Sequence, residues 1–569
     1  MPWGLVASRQ RSIQRRGRMR INPPVAAVCG LLGVVGLVSA GCGTSASEGG
    51  GSSSTGTAGG LERSITTAHP TDGTLPSVVW NNNRGEPSTL DWISAQPIEA
   101  ELPVVCESLR SIAPDGSIGP GLAESIDHPD PVTWVYKLRS GVKFHDGTQM
   151  TADDAVFSLR RAAFSDTSTV NELAGTVKQI SKTGPFEVTV KLKKPDALFN
   201  DATATRLGIV ESAAYVERMG KRYGTAQGPP LCTGPYELTD WKTGRGITLD
   251  AAKDYWNPDV KRRIQRIDVR FITDTPLLTS ALVSGEVDGA FTLSPASFPQ
   301  LRNTSGGTLT VGPSPEVMSI APVGDDGPLG DRRIREALAY AIDRAAVAKT
   351  VYQGAAEPVR SIFSPAMWGY ARDTFQQAYD QLPELSVDLD KAKQLVESAG
   401  SPGEQIVITV PAGLQEFVQT GTAIQSAAKQ IGLNVKINAV PNTVFGAMFG
   451  DPSLRKSTDA ILTTSAPPLS DPLVQAYRVL VPGGPRNYGP YDNPGVTRQF
   501  AEARATDDHE QRAKLLIDAQ AKFMPDFPWI PIVAISGSVY QGPKVTGAPA
   551  SQLGQFGGPW AATAGPRGE

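Results

Sequence analysis

An apolar run at 406–410, a helical period over about 415–431 and a second apolar run at 435–439 commit part of this chain to a parallel sheet. A strand can return beside its predecessor in the same direction only through a long crossover, and a helix of this length supplies one. Two further helices precede the unit. Asp331 is placed to cap one, with Ile334, Ala337, Leu338, Ala341 and Ile342 forming its apolar stripe. Asp388 or Asp390 caps the next, whose inner face is Leu389, Ala392, Leu395, Val396 and Ala399, with Gly400 as its stop. The later half therefore contains an α/β lobe. The earlier half is richer in strands: 77–80, then alternation at Trp134, Tyr136 and Leu138, at Phe186, Val188, Val190 and Leu192, and at Ile267, Val269 and Phe271. No internal repeat is present, and a chain of 569 residues exceeds what one core usually serves, so two or three lobes are expected.

The first forty residues follow other rules. Arg9, Arg11, Arg15, Arg16, Arg18 and Arg20 form a basic stretch without an acid, and 24–40 is an apolar run slightly short for a bilayer span. Ser39, Ala40 and Gly41 lead into Cys42, an order that reads as a secretory signal over 1–41. Ala-Gly-Cys resembles a bacterial lipobox, which would make Cys42 the acylated first residue of the mature chain. Ser39 stands where such motifs usually carry Leu, so an uncleaved membrane anchor is the competing reading. Both place the remainder outside the cytoplasm. Arg15-Arg16 lacks the apolar residues expected after a twin-arginine pair, and the export route stays open between that system and the general secretory one. Residues 43–60 are almost wholly Gly, Ser, Thr and Ala, a coil with nothing to bury, and 42–75 as a whole is expected to be a tether.

Net charge is −3, and beyond position 20 the basic residues are scattered, which excludes a nucleic-acid footprint. Once Cys29 is assigned to the leader and Cys42 to the lipid site, Cys106 and Cys232 are left to pair or to stay free, because sequence alone does not set their separation. His69, His128, His145 and His509 show no metal-ligand spacing, so neither a metal nor any other cofactor is expected. No G-x-S-x-G elbow, S-x-x-K context or phosphate loop is present, and the chain is read as a non-enzyme.

The densest motif is 134–158, WVYKLRSGVKFHDGTQMTADDAVFS. It reads as a strand, a turn at Ser140-Gly141, a short strand at 142–144, a turn at Asp146-Gly147, and a helix capped by Thr151. Asp153 and Asp154 fall in the positively polarised first turn, where acids stabilise the helix, and that reading is preferred to a catalytic pair.

This segment resembles the signature of the extracellular solute-binding proteins of family 5, the oligopeptide, dipeptide and nickel receptors of ABC importers. Further landmarks follow in the family's order: PSTLD at 87–91, DG at 115–116, PGLAE at 120–124, TGPY at 233–236, YWN at 255–257, SGEVD at 284–288 and RRIREALAYAIDR at 332–344. PAMWGY at 365–370 and ARATDDH at 503–509 are most similar to the dipeptide branch. The resemblance implies an α/β, two-lobed periplasmic-binding-protein fold with an extra inserted domain, its discontinuous domains joined by a hinge. Lobe I is expected at 76–110, 229–322 and 521–569, the inserted domain II at 111–228, and lobe II at 323–520.

The resemblance also implies a receptor that closes over a peptide-like solute and hands it to membrane permease subunits, working as a monomer at the outer face of the cytoplasmic membrane. By resemblance the ligand wall includes Ser94, Gln96 and Ile98, Thr464 and Ser465, and Trp368, for which a core position is the competing reading. Peptide-binding relatives usually carry an Asp three residues before an Asp-Pro pair, where it holds the ligand's α-ammonium. Here that position, counted from Asp471-Pro472, is Pro468. Either another acid takes the role, Asp471 or Asp459, or the ligand lacks a free α-ammonium, since a buried ammonium without its carboxylate loses a charge-assisted bond. A glycan, a siderophore-like compound or a modified peptide is the alternative cargo, and a non-transporting envelope scaffold or regulator the alternative role.

Overall fold

The computed structural model describes residues 61–94, 101–489 and 491–568. Cys42, Gln96 and Ile98, with the leader and residues 43–60, lie outside the described residues.

Three sheets organise the chain. One has eight strands, in the order Glu62–Arg63, Thr308–Gly312, Gly537–Gln541, Gly289–Phe291, Val78–Asn81, Arg266–Arg270, Gly246–Ala251 and Tyr236–Lys242. A second has six, in the order Ala356–Pro358, Ile530–Ile535, Val317–Pro322, Ala460–Ser465, Gln405–Pro411 and Asn434–Val440. A third is an antiparallel sheet of four strands between Ala123 and Leu192. The eight-stranded sheet gathers strands from distant parts of the chain, so its lobe is discontinuous, whereas all strands of the six-stranded sheet fall within 317–535; the four-stranded sheet is carried on an insertion into the first lobe.

Local chemistry explains the elements. Gln405–Pro411 and Asn434–Val440 pair in parallel through the helix Gln415–Gln430, as the crossover length requires. Asp331 Oδ1 accepts from Arg333 N at 2.8 Å to cap Arg332–Ala341, and Asp388 rather than Asp390 caps Leu389–Ser398 by accepting from Lys391 N. Thr151 and Asp154 close a capping box on Ala152–Phe164, and Asp153 pairs with Lys182 at 2.7 Å. Of the two acids at the helix start, Asp154 is thereby occupied in the cap and Asp153 in an ion pair with the strand Val177–Gly184.

The sheets move several expected boundaries. Leu61 is fully buried and Glu62–Arg63 pairs in parallel with Thr308–Gly312, so the end of the expected 42–75 tether belongs to the eight-stranded sheet. Val317–Pro322 and Ile530–Ile535 belong to the six-stranded sheet. The chain therefore crosses between sheets around 313–316 and at Ser536, not at the expected borders of 322 and 520. Residues 142–144 form no strand; only the bridge Lys143–Gln149 is made there, too short for a ladder.

Cys106 and Cys232 form a disulfide across 126 residues of sequence. It ties the helix Leu102–Val105 to the segment before Gly234, whose amide donates to Val105 O at 2.9 Å. A Cβ on Gly234 would sit 2.4 Å from that same oxygen, so this approach admits only glycine. Beside the disulfide, the half-buried Glu107 accepts from Thr233 Oγ1 at 2.8 Å, Tyr255 OH at 2.6 Å and Trp256 Nε1 at 2.8 Å. Burial pushes its pKa up to about 7 against those bonds.

Candidate functional site

The strand Ala460–Ser465 ends at Ala466-Pro467-Pro468, where two prolines without N–H groups cannot extend the ladder. Asp471 then accepts from Leu473 N at 2.8 Å and starts the helix Pro472–Val479. Residues 466–470 are consequently turned out of the sheet, and 466–468 form part of one wall of a cavity of about 370 Å³. Thr464, Ala466, Pro467 and Pro468 stand on this side with Glu316, Arg478 and Arg486. The insertion provides Thr169, Val170, Glu172, Leu173, Thr205 and Arg206, and the C-terminal segment adds Gln552, Leu553 and Phe556. The site thus lies where the insertion and the two lobes meet. Its size and mixed lining suit a small organic ligand. A second cavity of about 310 Å³ shares Ile112, Thr205, Arg206, Phe556 and Gly557 with the first.

The residues expected at the site separate into two groups. Thr464 and Pro468 line the cavity. Ser465 lies behind it, with its buried hydroxyl bonded to Gln475 Oε1 at 2.7 Å. Ser94 folds back on Asp91, its N bonded to Asp91 O at 2.9 Å, and is not among the cavity's lining residues. Trp368, expected on the ligand wall, is instead a core aromatic, 6% exposed, its ring 6.0 Å from Phe375 and 5.5 Å from Tyr379. Those partners follow seven and eleven residues later on one helix, which turns its aromatic face to the indole.

Asp471 is occupied within the fold. One oxygen pairs with Arg512 Nη1 at 3.0 Å, the other accepts from Leu473 N and from Tyr370 OH at 3.1 Å, and both members of the ion pair are buried. Burial raises the Asp471 pKa, and the Arg512 guanidinium is the main influence opposing that rise. Asp459 is occupied as well, its carboxylate accepting from Val407 N at 2.6 Å between two strands.

The charged groups that do reach the cavity are ones sequence reasoning missed. Arg478 comes from the helix Pro472–Val479, and its Nη1 donates to Ala466 O at 3.3 Å. Arg486 follows the turn at 482–485, and its Nη1 donates to Thr464 O at 3.1 Å. Its guanidinium carbon also stands 4.6 Å from the Phe449 ring centre. Burial, and after it the neighbouring Arg478, hold the Arg486 pKa below the usual arginine range. The one sequence hint was an arginine on an otherwise largely apolar helix seven residues after Asp471.

Several contacts join the insertion to the six-stranded lobe around this cavity. Asp196 receives Arg504 in two bonds of 2.8 and 2.6 Å, the aspartate being buried. Glu172 Oε1 lies 3.8 Å from Arg478 Nε. Arg372 Nη2 donates to Asp115 O at 3.1 Å, and a Cβ on Gly116 (φ +83°) would meet Ser470 Oγ at 2.5 Å. Among the described residues no group of three or more His, Cys, Asp or Glu is placed to hold a metal ion, and no helix is long and apolar enough to cross a membrane.

Comparison with known proteins agrees with this architecture. The heme-binding protein A of Haemophilus influenzae is 26% identical over 481 residues, 77% of this chain and 82% of that protein. The glutathione-binding protein GsiB of Escherichia coli K12 is 27% identical over 424 residues, 72% of this chain and 80% of that protein. The periplasmic binding protein DppA of Helicobacter pylori, solved with the peptide STSA, superposes with a TM-score of 0.73 at 21% identity, covering 84% of this chain and 97% of that one. The family model described as bacterial extracellular solute-binding proteins, family 5 middle, matches residues 117–486. On a match spanning more than half of the sequence, the chain belongs to the family 5 extracellular solute-binding proteins, extracytoplasmic substrate receptors of ABC importers and not enzymes.

Proposed function

We propose that the chain captures a peptide-like solute, a dipeptide or oligopeptide, in a closing cleft and delivers it to membrane permease subunits. In this reading it works as a monomer, with Cys42 acylated at the outer face of the cytoplasmic membrane and the following coil as tether. The observation that carries the reading is the cavity of about 370 Å³ walled from both sides of the interdomain boundary, its apolar lining interrupted by polar and charged side chains that can orient a ligand. A cleft built this way buries its ligand only when the lobes approach, which is how hinge closure converts binding into a signal for the transporter. The open volume also weighs against a scaffold role, for which a cleft filled by side chains would be expected.

Pro468 favours a second reading, a non-peptide or modified-peptide solute. It lines the cavity at the position where the family resemblance leads one to look for an acid, and Asp471 and Asp459 are both engaged elsewhere. Native mass spectrometry of the protein purified from its own host separates the two: a retained mass that fragments as a peptide supports the first, and a non-peptide mass the second. A peptide-free protein that also leaves a peptide library untouched in calorimetry removes the first reading.

A further inference from the structure

The cavity wall at 464–468 has the opposite charge from the one an ammonium-binding subsite needs. Arg478 and Arg486 both lean on this short stretch, one on Ala466 O and the other on Thr464 O, and Arg486 N donates to Arg478 O at 2.9 Å, holding the two in register. Among the described residues neither guanidinium has a carboxylate within hydrogen-bond distance. The one ion-pair partner is Glu172, 3.8 Å from Arg478 Nε, and that Nε is buried without a hydrogen bond. Arg206 brings a third guanidinium to the cavity, its Nη1 on Trp92 O at 2.9 Å, against two carboxylates, Glu172 and Glu316. Of those two, Glu316 already accepts from Gln552 Nε2 at 3.2 Å.

Two guanidiniums this close repel each other, and taking them partly out of water adds a desolvation cost. The strand end and the helix start are already set by Pro467, Pro468 and Asp471, so neither depends on a charge at 478 or 486. An anion between the two forks would relieve the repulsion, satisfy the idle Nε–H and accept bonds whose geometry suits a carboxylate or phosphate. Pro468, beside them, offers no competing charge.

We infer that the ligand of this cleft presents an anionic group, a carboxylate or phosphate, to Arg478 and Arg486. This rests on the receptor reading above and deepens it: the end of the ligand docked at 464–468 is its acidic end, not its ammonium. A peptide's C-terminal carboxylate and a non-peptide acid share that chemistry, and the test separates them.

The test uses calorimetry on the mature chain, with four probes: trialanine, N-acetyl-trialanine, trialanine amide and glutarate. The inference expects N-acetyl-trialanine to bind at least about 10-fold more tightly than trialanine amide, with the preference shrinking as salt is raised. Arg478→Gln and Arg486→Gln should each weaken the acidic probes by about 10- to 100-fold while leaving the amide unchanged. Arg486→Lys, which keeps the charge, should retain more affinity than Arg486→Gln, and thermal midpoints of all variants exclude misfolding as the cause. Equal binding of the two peptide forms, or preference for the amide, overturns the inference and leaves the peptide-receptor reading standing. Glutarate binding alone, lost in the arginine variants, upholds the anionic subsite and removes the peptide reading. Failure of all four probes overturns both.

Discussion

Asp471 was a candidate ligand contact on sequence grounds, and replacing it with Asn decides whether it is one. The carboxylate and Arg512 are 3.0 Å apart and almost fully buried, at 5% and 2% side-chain exposure. Asn is nearly isosteric, and its carbonyl oxygen can still cap the helix by accepting from Leu473 N, so the substitution removes the charge with little other change. Arg512 is then left as a buried cation opposite a neutral amide, and breaking a buried pair in this way costs about 3–5 kcal/mol. Tyr370, bonded to Asp471 and 4.7 Å from the Arg512 guanidinium carbon, can soften but not replace that charge. The pair Asp471→Asn with Arg512→Met should recover part of the loss, giving a coupling energy within the range of about 0.5–3 kcal/mol seen for contacting residues. Denaturant titration followed by tryptophan fluorescence measures the stabilities, and calorimetry with the bound solute measures affinity at a temperature where Asp471→Asn is folded. The expected result is a large shift in midpoint with affinity nearly unchanged. An unchanged midpoint with affinity lost would refute the assignment and make Asp471 part of the binding surface.

Three other variants probe the frame of the site. Replacing Cys106 and Cys232 by Ser opens a loop of 126 residues in sequence separation and should cost about 2–5 kcal/mol by denaturant titration, with no change in stability marking the bond as dispensable. Glu107 has its pKa raised from 4.5 to about 7 by burial, so its contribution to stability is fully present below about pH 4.5 and is lost as pH rises through about 7. Relative to Glu107→Gln, the wild-type chain should therefore lose up to about 3 kcal/mol between about pH 5 and pH 8. Parallel pH profiles for the two proteins would show Glu107 to be no more protonated folded than unfolded. Gly116→Ala places a Cβ at φ +83° and 2.5 Å from Ser470 Oγ, and it should lower the thermal midpoint by the equivalent of about 1–2 kcal/mol and loosen the contact beside the cavity. An unaffected midpoint would mean that the turn and Ser470 do not approach so closely.

Much of the fold was legible because its signals are local. Thr151 with Asp154, Asp331 and Asp388 cap helices through bonds to amides two or three residues away, so the residue type at that spacing carries the information. The parallel pair around Gln415–Gln430 follows from connection length alone. Lobe boundaries were less legible. Val317–Pro322 and Ile530–Ile535 read equally well in either lobe, and only their register with Ala460–Ser465 and Ala356–Pro358 sends them to the six-stranded sheet. Glu62–Arg63 is too short and too polar to announce itself as a strand, and it becomes one by finding the free edge of Thr308–Gly312.

The site divides along the same line. Sequence alone determined that Pro468 stands where the family resemblance leads one to look for an acid, and that the ordered motifs resemble those of solute receptors. Tertiary structure alone decided which side chains face the cavity. Trp368 is amphipathic and suits a wall or a core equally; only the fold packs Phe375 and Tyr379 around it. Arg478 and Arg486 look like ordinary surface cations in one dimension, yet the turn at 466–470 and the register between their backbones set both against the same stretch of wall. The physical reason is range. Capping, turns and periodicity act over a few bonds, whereas the charge of a binding cleft is the sum of groups that only chain packing brings within a few ångströms of one another.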